Sequence, residues 1–145
     1  MQDRERDGYL LTTDPGRVDV DRLHRWLSQD AYWALDRTRE VVLLTLQGSR
    51  SYAVLRDGEL VAFARVVTDG ATFAWVCDVY VDPAHRGHGL ATWVVDSLAE
   101  DLTRDGVQRI VLMTREAHAL YRRSGFVPVE GSARWMQLDR DAPPG

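Results

Sequence analysis

Apolar residues follow two rhythms along this chain, and the change between them divides it. From Ser51 to Asp82 the stretch SYAVLRDGELVAFARVVTDGATFAWVCDVYVD is dense in Val, Phe, Tyr and Trp and is broken by Asp57-Gly58 and Asp69-Gly70. Branched and aromatic side chains suit a pleated, half-buried surface, and Asp-Gly between apolar runs signals a hairpin. The stretch therefore predicts three antiparallel strands in a meander. From Gly89 the spacing lengthens: Leu90, Val94, Leu98 and Leu102 share one helical stripe, and Gly106 stands where a helix stops.

The flanks fill in around these two blocks. GYLLTTD predicts a short first strand; Asp19 or Asp21 can cap a helix carrying Val20, Leu23 and Leu27. DAYWALDRTRE leads into a second helix through Val41 and Leu44 to Gly48. Downstream, VQRIVLMT reads as an apolar strand buried in a sheet, a short helix runs from Glu116 to Arg123 before Gly125, and FVPVE and RWMQL read as closing strands. Antiparallel strands followed by strand-helix-strand predict a mixed α/β (α+β) fold with a mostly antiparallel central sheet flanked by helices.

Composition narrows the class. At 145 residues, 45% of them apolar, the chain suits one domain, expected over residues 1–140, with 141–145 as a frayed, disordered tail. The start, MQDRERDGYLL, is too polar for a secretory signal, and no run approaches the length of a membrane span, so a soluble cytoplasmic protein with no membrane partner is expected. One cysteine, Cys77, excludes an internal disulfide and any two-cysteine zinc pattern, and no metal is expected. A net charge of −4 with interspersed signs argues against nucleic acid. The basic clusters in LTRDGVQR and YRRSG are too small to reverse that. Nothing in the sequence decides between a monomer and a homodimer.

The chemistry concentrates in VDPAHRGHGLATWVV, at the junction between the two rhythms. Gly87 and Gly89 lack a Cβ, so the backbone there can take positive φ and lie against a ligand. The amides of Arg86, Gly87, His88, Gly89, Leu90 and Ala91 then gather at a helix start, where free donors and the positive dipole end suit a phosphate. No Gly-Lys-Ser/Thr follows, and the third glycine of a dinucleotide fingerprint is missing, so a different phosphate ligand is implied.

About 30 residues on, in REAHALYRRSGF, Ala117, Leu120 and Tyr121 share a helix face and Gly125 ends the helix before Phe126. Together the two motifs resemble the Gcn5-related N-acetyltransferase superfamily: its Arg/Gln-x-x-Gly-x-Gly/Ala loop falls on Arg86 to Ala91, and its Leu-Tyr-x-x-x-Gly-Phe helix end on Leu120 to Phe126. The resemblance covers roughly Val61 to Val129 and looks like a small bacterial branch of unassigned substrate.

This resemblance implies a sheet with a splayed parallel strand pair, CDVYV beside RIVLMT, and acetyl-CoA lying between them without a metal. Backbone groups of Val79 and Val81 would hold the pantetheine, and the amides from Arg86 to Ala91 the pyrophosphate. Thr114 stands where the family often carries Asn. Tyr121 matches the tyrosine taken as the acid that protonates the leaving thiolate, and it also borders the cofactor. A Val79 N–H would meet the developing oxyanion.

Asp78 interrupts an apolar strand just before the pantetheine segment, alternates with Val76 and Tyr80, and is the candidate general base. A two-residue Asp69-Gly70 hairpin would set Thr68 opposite Ala71 and Val61 opposite Asp78. Arg65 would then lie on the same face as Asp78 but about 13 Å away, too far to pair unless a bulge intervenes. His85 and His118 are further relay candidates. Trp26, Tyr32, Trp33 and Arg65 are candidates for the acceptor side. The implied reaction is direct acetyl transfer to a primary amine of a small molecule, peptide or protein; the alternative is a non-catalytic CoA-binding or regulatory module.

Overall fold

The computed structural model describes residues 2–140; the tail expected at 141–145 lies outside the described residues. Six strands form one sheet in sequence order: β1 (Arg4–Arg6), β2 (Tyr9–Thr12), β3 (Arg50–Arg56), β4 (Glu59–Thr68), β5 (Phe73–Val81) and β6 (Arg109–Val111). The first five are antiparallel neighbours, and β6 runs parallel to β5. The α/β sandwich expected from the element order is the fold found.

Helices cover both faces. On one side α1 (Val20–Gln29) and α2 (Arg39–Gln47) pack Leu23, Leu27 and Val42 against Ala53, Leu55, Leu60 and Phe63. Asp19 caps α1 by accepting from the Arg22 amide, and Thr38 caps α2 by accepting from Val41. On the other side α3 (Leu90–Arg104) buries Leu90, Val94, Leu98 and Leu102 against Val54, Ala64, Val66 and Val76, and the short α4 (His118–Arg123) follows β6. The stripe read from the sequence is the buried one, each of its four residues 2% exposed or less.

Turn chemistry explains one hairpin and corrects another. At Asp57-Gly58 both residues take positive φ, 51° and 80°, and Arg56 pairs with Glu59 across a two-residue turn. At Asp69-Gly70 only the glycine does so. Asp69 Oδ1 instead accepts from the amides of Ala71, Thr72 and Phe73 at 2.9, 2.8 and 3.3 Å, which widens the connection and sets Thr68 opposite Ala74 rather than Ala71.

Further along the same pair, Arg65 faces Cys77 while Phe63 faces Tyr80, so β5 carries one extra residue. Asp78 is that residue, with φ +53°. The bulge reverses the alternation: Val76 points into the α3 core, whereas Tyr80 joins the α1–α2 core. Val76 and Tyr80 therefore do not share a face, contrary to the sequence expectation.

Three further differences concern the ends. An added hairpin, β1 to β2 through Asp7-Gly8 (φ 52° and 83°), precedes the expected first strand. The apolar VQRIVLMT contributes only the three paired residues of β6. FVPVE and RWMQL form no strand in this structure, and Val127, Met136 and Leu138 are 78%, 95% and 83% exposed. Their apolar side chains raised the strand expectation, but among the described residues no ladder partner meets them. Among the described residues no helix is long and apolar enough to cross a membrane.

Candidate active site

The parallel ladder between β5 and β6 stops at Trp75 opposite Val111, while β5 runs on to Val81. From Val76 onward the side of β5 away from β4 has no strand neighbour among the described residues. Asp82 N–H bonds Val61 O in β4 at 2.9 Å, so by the alternation of an antiparallel ladder the backbone groups of Val79 and Val81 point the other way, into the gap. A cleft of about 1070 Å³ opens there, walled by Trp75–Val81 on one side and Leu112–Ala117 on the other. Its size reaches that of small-molecule and cofactor pockets.

The mouth of α3 borders this cleft through Arg86 and Ala91. Gly87 and Gly89 take φ values of +83° and +72°, the conformations their missing Cβ permits at low cost. Gly89 is the N-cap and supplies no side-chain bond, so the first intrahelical bond is Trp93 N–H to Gly89 O. Among the described residues no acceptor meets the amides of Gly87, His88, Gly89, Leu90 and Ala91, and residues 86–89 are exposed. Arg86 departs from the set. Its amide turns back to Pro83 O at 3.5 Å, and its guanidinium donates to Val81 O at 3.1 Å.

Tyr121 reaches the cleft from α4, buried apart from 9% of its surface. Burial, with Tyr32 nearby, pushes its phenol up to about 12, and among the described residues its hydroxyl has no hydrogen-bond partner. Gly125 (φ +94°) lets Phe126 N–H return to Tyr121 O at 3.1 Å, which fixes the end of α4. Thr114 also lines the cleft; its hydroxyl accepts from Ala117 N–H at 3.0 Å, holding the approach to α4.

Asp78 shows the largest difference between expectation and structure. The bulge brings Arg65 Nε within 2.6 Å of Asp78 Oδ2, where a plain register would have kept them apart. Arg37 Nη1 donates to the same oxygen at 2.8 Å, and Trp33 Nε1 donates to Oδ1 at 2.7 Å. Burial alone would raise this carboxyl; Arg65, Arg37 and Trp33 together outweigh it and hold the carboxyl below the ordinary range.

Of the aromatic candidates, Tyr32 and Trp33 line the cleft, each 41% exposed, with ring centroids 5.1 Å apart. Arg115 lies over the Tyr32 ring at 3.8 Å and its amide donates to the Tyr32 hydroxyl. Trp26 is not on the cleft wall; it stacks on Tyr80 at 5.0 Å. Neither His85, which bonds the Tyr9 hydroxyl at 3.0 Å, nor the exposed His118 lines the cleft. Sequence reading missed Arg37, which follows a connecting segment without periodicity, and Asp30, which accepts from the Tyr80 hydroxyl. Among the described residues no group of three His, Cys, Asp or Glu could hold a metal ion.

Comparison with known proteins agrees with this geometry. Residues 20–126 match the sequence model of the acetyltransferase (GNAT) family. Over 143 residues the chain is 29% identical to a Gibberella zeae protein that bears the name acetyltransferase, covering 85% of this chain and 81% of the relative. A crystal structure of a GNAT-family protein from Xanthomonas campestris pv. campestris superposes with a TM-score of 0.86 at 38% identity, covering 90% and 92% of the two chains. The fold is shared, at 22% identity and a TM-score of 0.68, with a Mycobacterium tuberculosis protein crystallised in complex with CoA, covering 83% and 73%.

Proposed function

The chain belongs to the GNAT family of acetyltransferases, and from that membership we propose that it is an acetyl-CoA-dependent N-acetyltransferase acting on a primary amine in a ternary complex. One convergence supports the reading. The start of α3, whose free amides reach the cleft at Ala91, an edge of β5 that no strand pairs among the described residues, and a buried tyrosine hydroxyl, drawn from three separate elements, border one cleft. The complex of a fold relative with CoA points the same way.

The residues present fit the group. The amides of Gly87 to Ala91 and the dipole of α3 would hold the pyrophosphate, and among the described residues nothing beyond its chain neighbours comes within 4 Å of where a Gly87 Cβ would stand. Val79 and Val81 present backbone groups to the pantetheine, with the Val81 carbonyl shared with Arg86. Thr114 keeps its hydroxyl proton for a contact in the cleft. When bound, acetyl-CoA supplies the activated acyl group.

The chain's own residues then divide the work. The bulge frees the Val79 N–H to meet charge developing on the acetyl oxygen as the amine attacks. As the C–N bond forms and the C–S bond breaks, Tyr121 would donate a hydrogen bond to the departing thiolate, while the attacking nitrogen sheds its proton to solvent and the thiolate takes one up from solvent to leave as the thiol. A phenol raised to about 12 stays protonated throughout the neutral range, so its position rather than its acidity makes it useful. Asp78 enters as a fixed anion: both its oxygens already accept bonds, and a carboxylate so engaged is a weak base. The amine therefore enters as the free base, its proton lost to solvent in the open cleft.

Calorimetry with CoA, followed by thiol release with a panel of amines, tests the reading. Heat and turnover together are expected. Binding without turnover on any amine would favour a non-catalytic CoA module, and no heat with CoA would overturn the reading altogether.

A further inference from the structure

The acceptor end of the cleft carries a charge imbalance. Asp78 stands between Arg37 and Arg65, one anion between two cations. Both arginines line the cleft and are largely covered, their side chains 18% and 13% exposed. Arg65 spends Nε on Asp78 and Nη1 on the Ser49 hydroxyl oxygen at 3.1 Å; Arg37 spends Nη1 on Asp78. Among the described residues no acceptor meets Arg65 Nη2, Arg37 Nε or Arg37 Nη2.

The other acids of the wall are committed elsewhere. Asp30 accepts from the Tyr80 hydroxyl and lies 3.7 Å from Arg86, and Glu116 pairs with Arg115 at 3.1 Å. The Arg37–Asp78–Arg65 cluster therefore keeps one uncompensated positive charge, with spare guanidinium donors beside a cleft. Such donors match a carboxylate by charge and by their planar fork. A second ammonium at this place would meet repulsion.

We propose that the acceptor is a small amine that also carries a carboxylate, an amino acid being the simplest case, and that Arg37 and Arg65 dock that carboxylate. The inference rests on the acetyl-transfer reading and adds the substrate class. Asp78 directly precedes Val79, and one strand step is about 3.3 Å. A carboxylate held beside Asp78 is thus within one small molecule's length of the backbone amide that faces the thioester. Tyr32 and Trp33 bound the space for the rest of the acceptor.

Two acceptor pools test this, with thiol release from acetyl-CoA as the readout. One holds the common L-amino acids with β-alanine and γ-aminobutyrate; the other holds the amides of the same compounds. The acid pool is expected to turn over at least about tenfold faster. Arg37→Lys and Arg65→Lys, which keep the charge and lose the fork, should each raise KM for the active acid about tenfold and leave the affinity for CoA unchanged. Equal rates from the two pools, a preference for the amides, or CoA binding with no turnover of the acid pool would each overturn the inference. Lack of CoA binding, seen before any acceptor is added, would remove the acetyl-transfer reading and this inference with it.

Discussion

At Asp78 a left-handed backbone and a crowded carboxylate coincide. A non-glycine φ of +53° costs on the order of 1–3 kcal/mol, and three donors on the carboxylate offset it. Asp78→Asn leaves two arginines around a neutral amide, so we expect unfolding free energy to fall by about 3–5 kcal/mol, measured by denaturant titration. Because this carboxyl is held low in the folded state, its contribution is present above the ordinary carboxylate value and fades as pH falls below about 4, which a melting series in acid would record. Tyr121→Phe should lower kcat by about 10²–10⁴-fold while acetyl-CoA affinity stays unchanged; unaltered turnover would exclude the hydroxyl. With Asp78 held as an anion, kcat/KM should follow the ionisation of the acceptor amine and rise with pH, without a limb from this carboxyl near neutrality. Tyr121 was legible because its neighbours in sequence form a motif. Arg37 was not, since nothing local marks an arginine in an irregular segment as the partner of a residue 41 positions away.

At the scale of elements, the loop into α3 and the end of β5 make the candidate site from backbone alone. Gly87→Val would force a branched residue to φ +83° at a cost of about 1–2 kcal/mol, yet among the described residues a Cβ there meets nothing within 4 Å beyond its chain neighbours. The expected outcome is a retained fold, seen as a modest melting shift, with CoA affinity reduced at least about tenfold by calorimetry. Helices α1, α2 and α3 and the Asp57-Gly58 turn could be read from the sequence because spacing and turn chemistry act over a few residues. Asp69-Gly70 looked identical on paper. Its aspartate side chain gathered three amides and changed the turn, a choice between local conformations that the dipeptide does not encode.

Across the whole molecule, the N-terminal hairpin is strapped to the far face of the sheet. Arg4 Nη2 donates to Asp101 Oδ1 at 2.8 Å, and the buried Tyr52 hydroxyl donates to Oδ2 of the same carboxylate at 3.0 Å, tying β1, β3 and α3 together. Arg4→Ala removes a charged partner from a carboxylate 1% exposed, so a loss of about 1.5–3 kcal/mol is expected by equilibrium unfolding. The sequence by itself determined helices α1, α2 and α3 with their amphipathic faces, the three-strand meander and the two glycine-bearing motifs, since each depends on side-chain period and backbone freedom within a short window. Only the tertiary structure decided that β5 bulges at Asp78, that Arg37 and Arg65 converge on that carboxylate, and that Arg4 straps β1 to Asp101 of α3. These outcomes rest on contacts between residues 13 to 97 positions apart, where chain closure and competing partners, rather than local propensity, select the pairing.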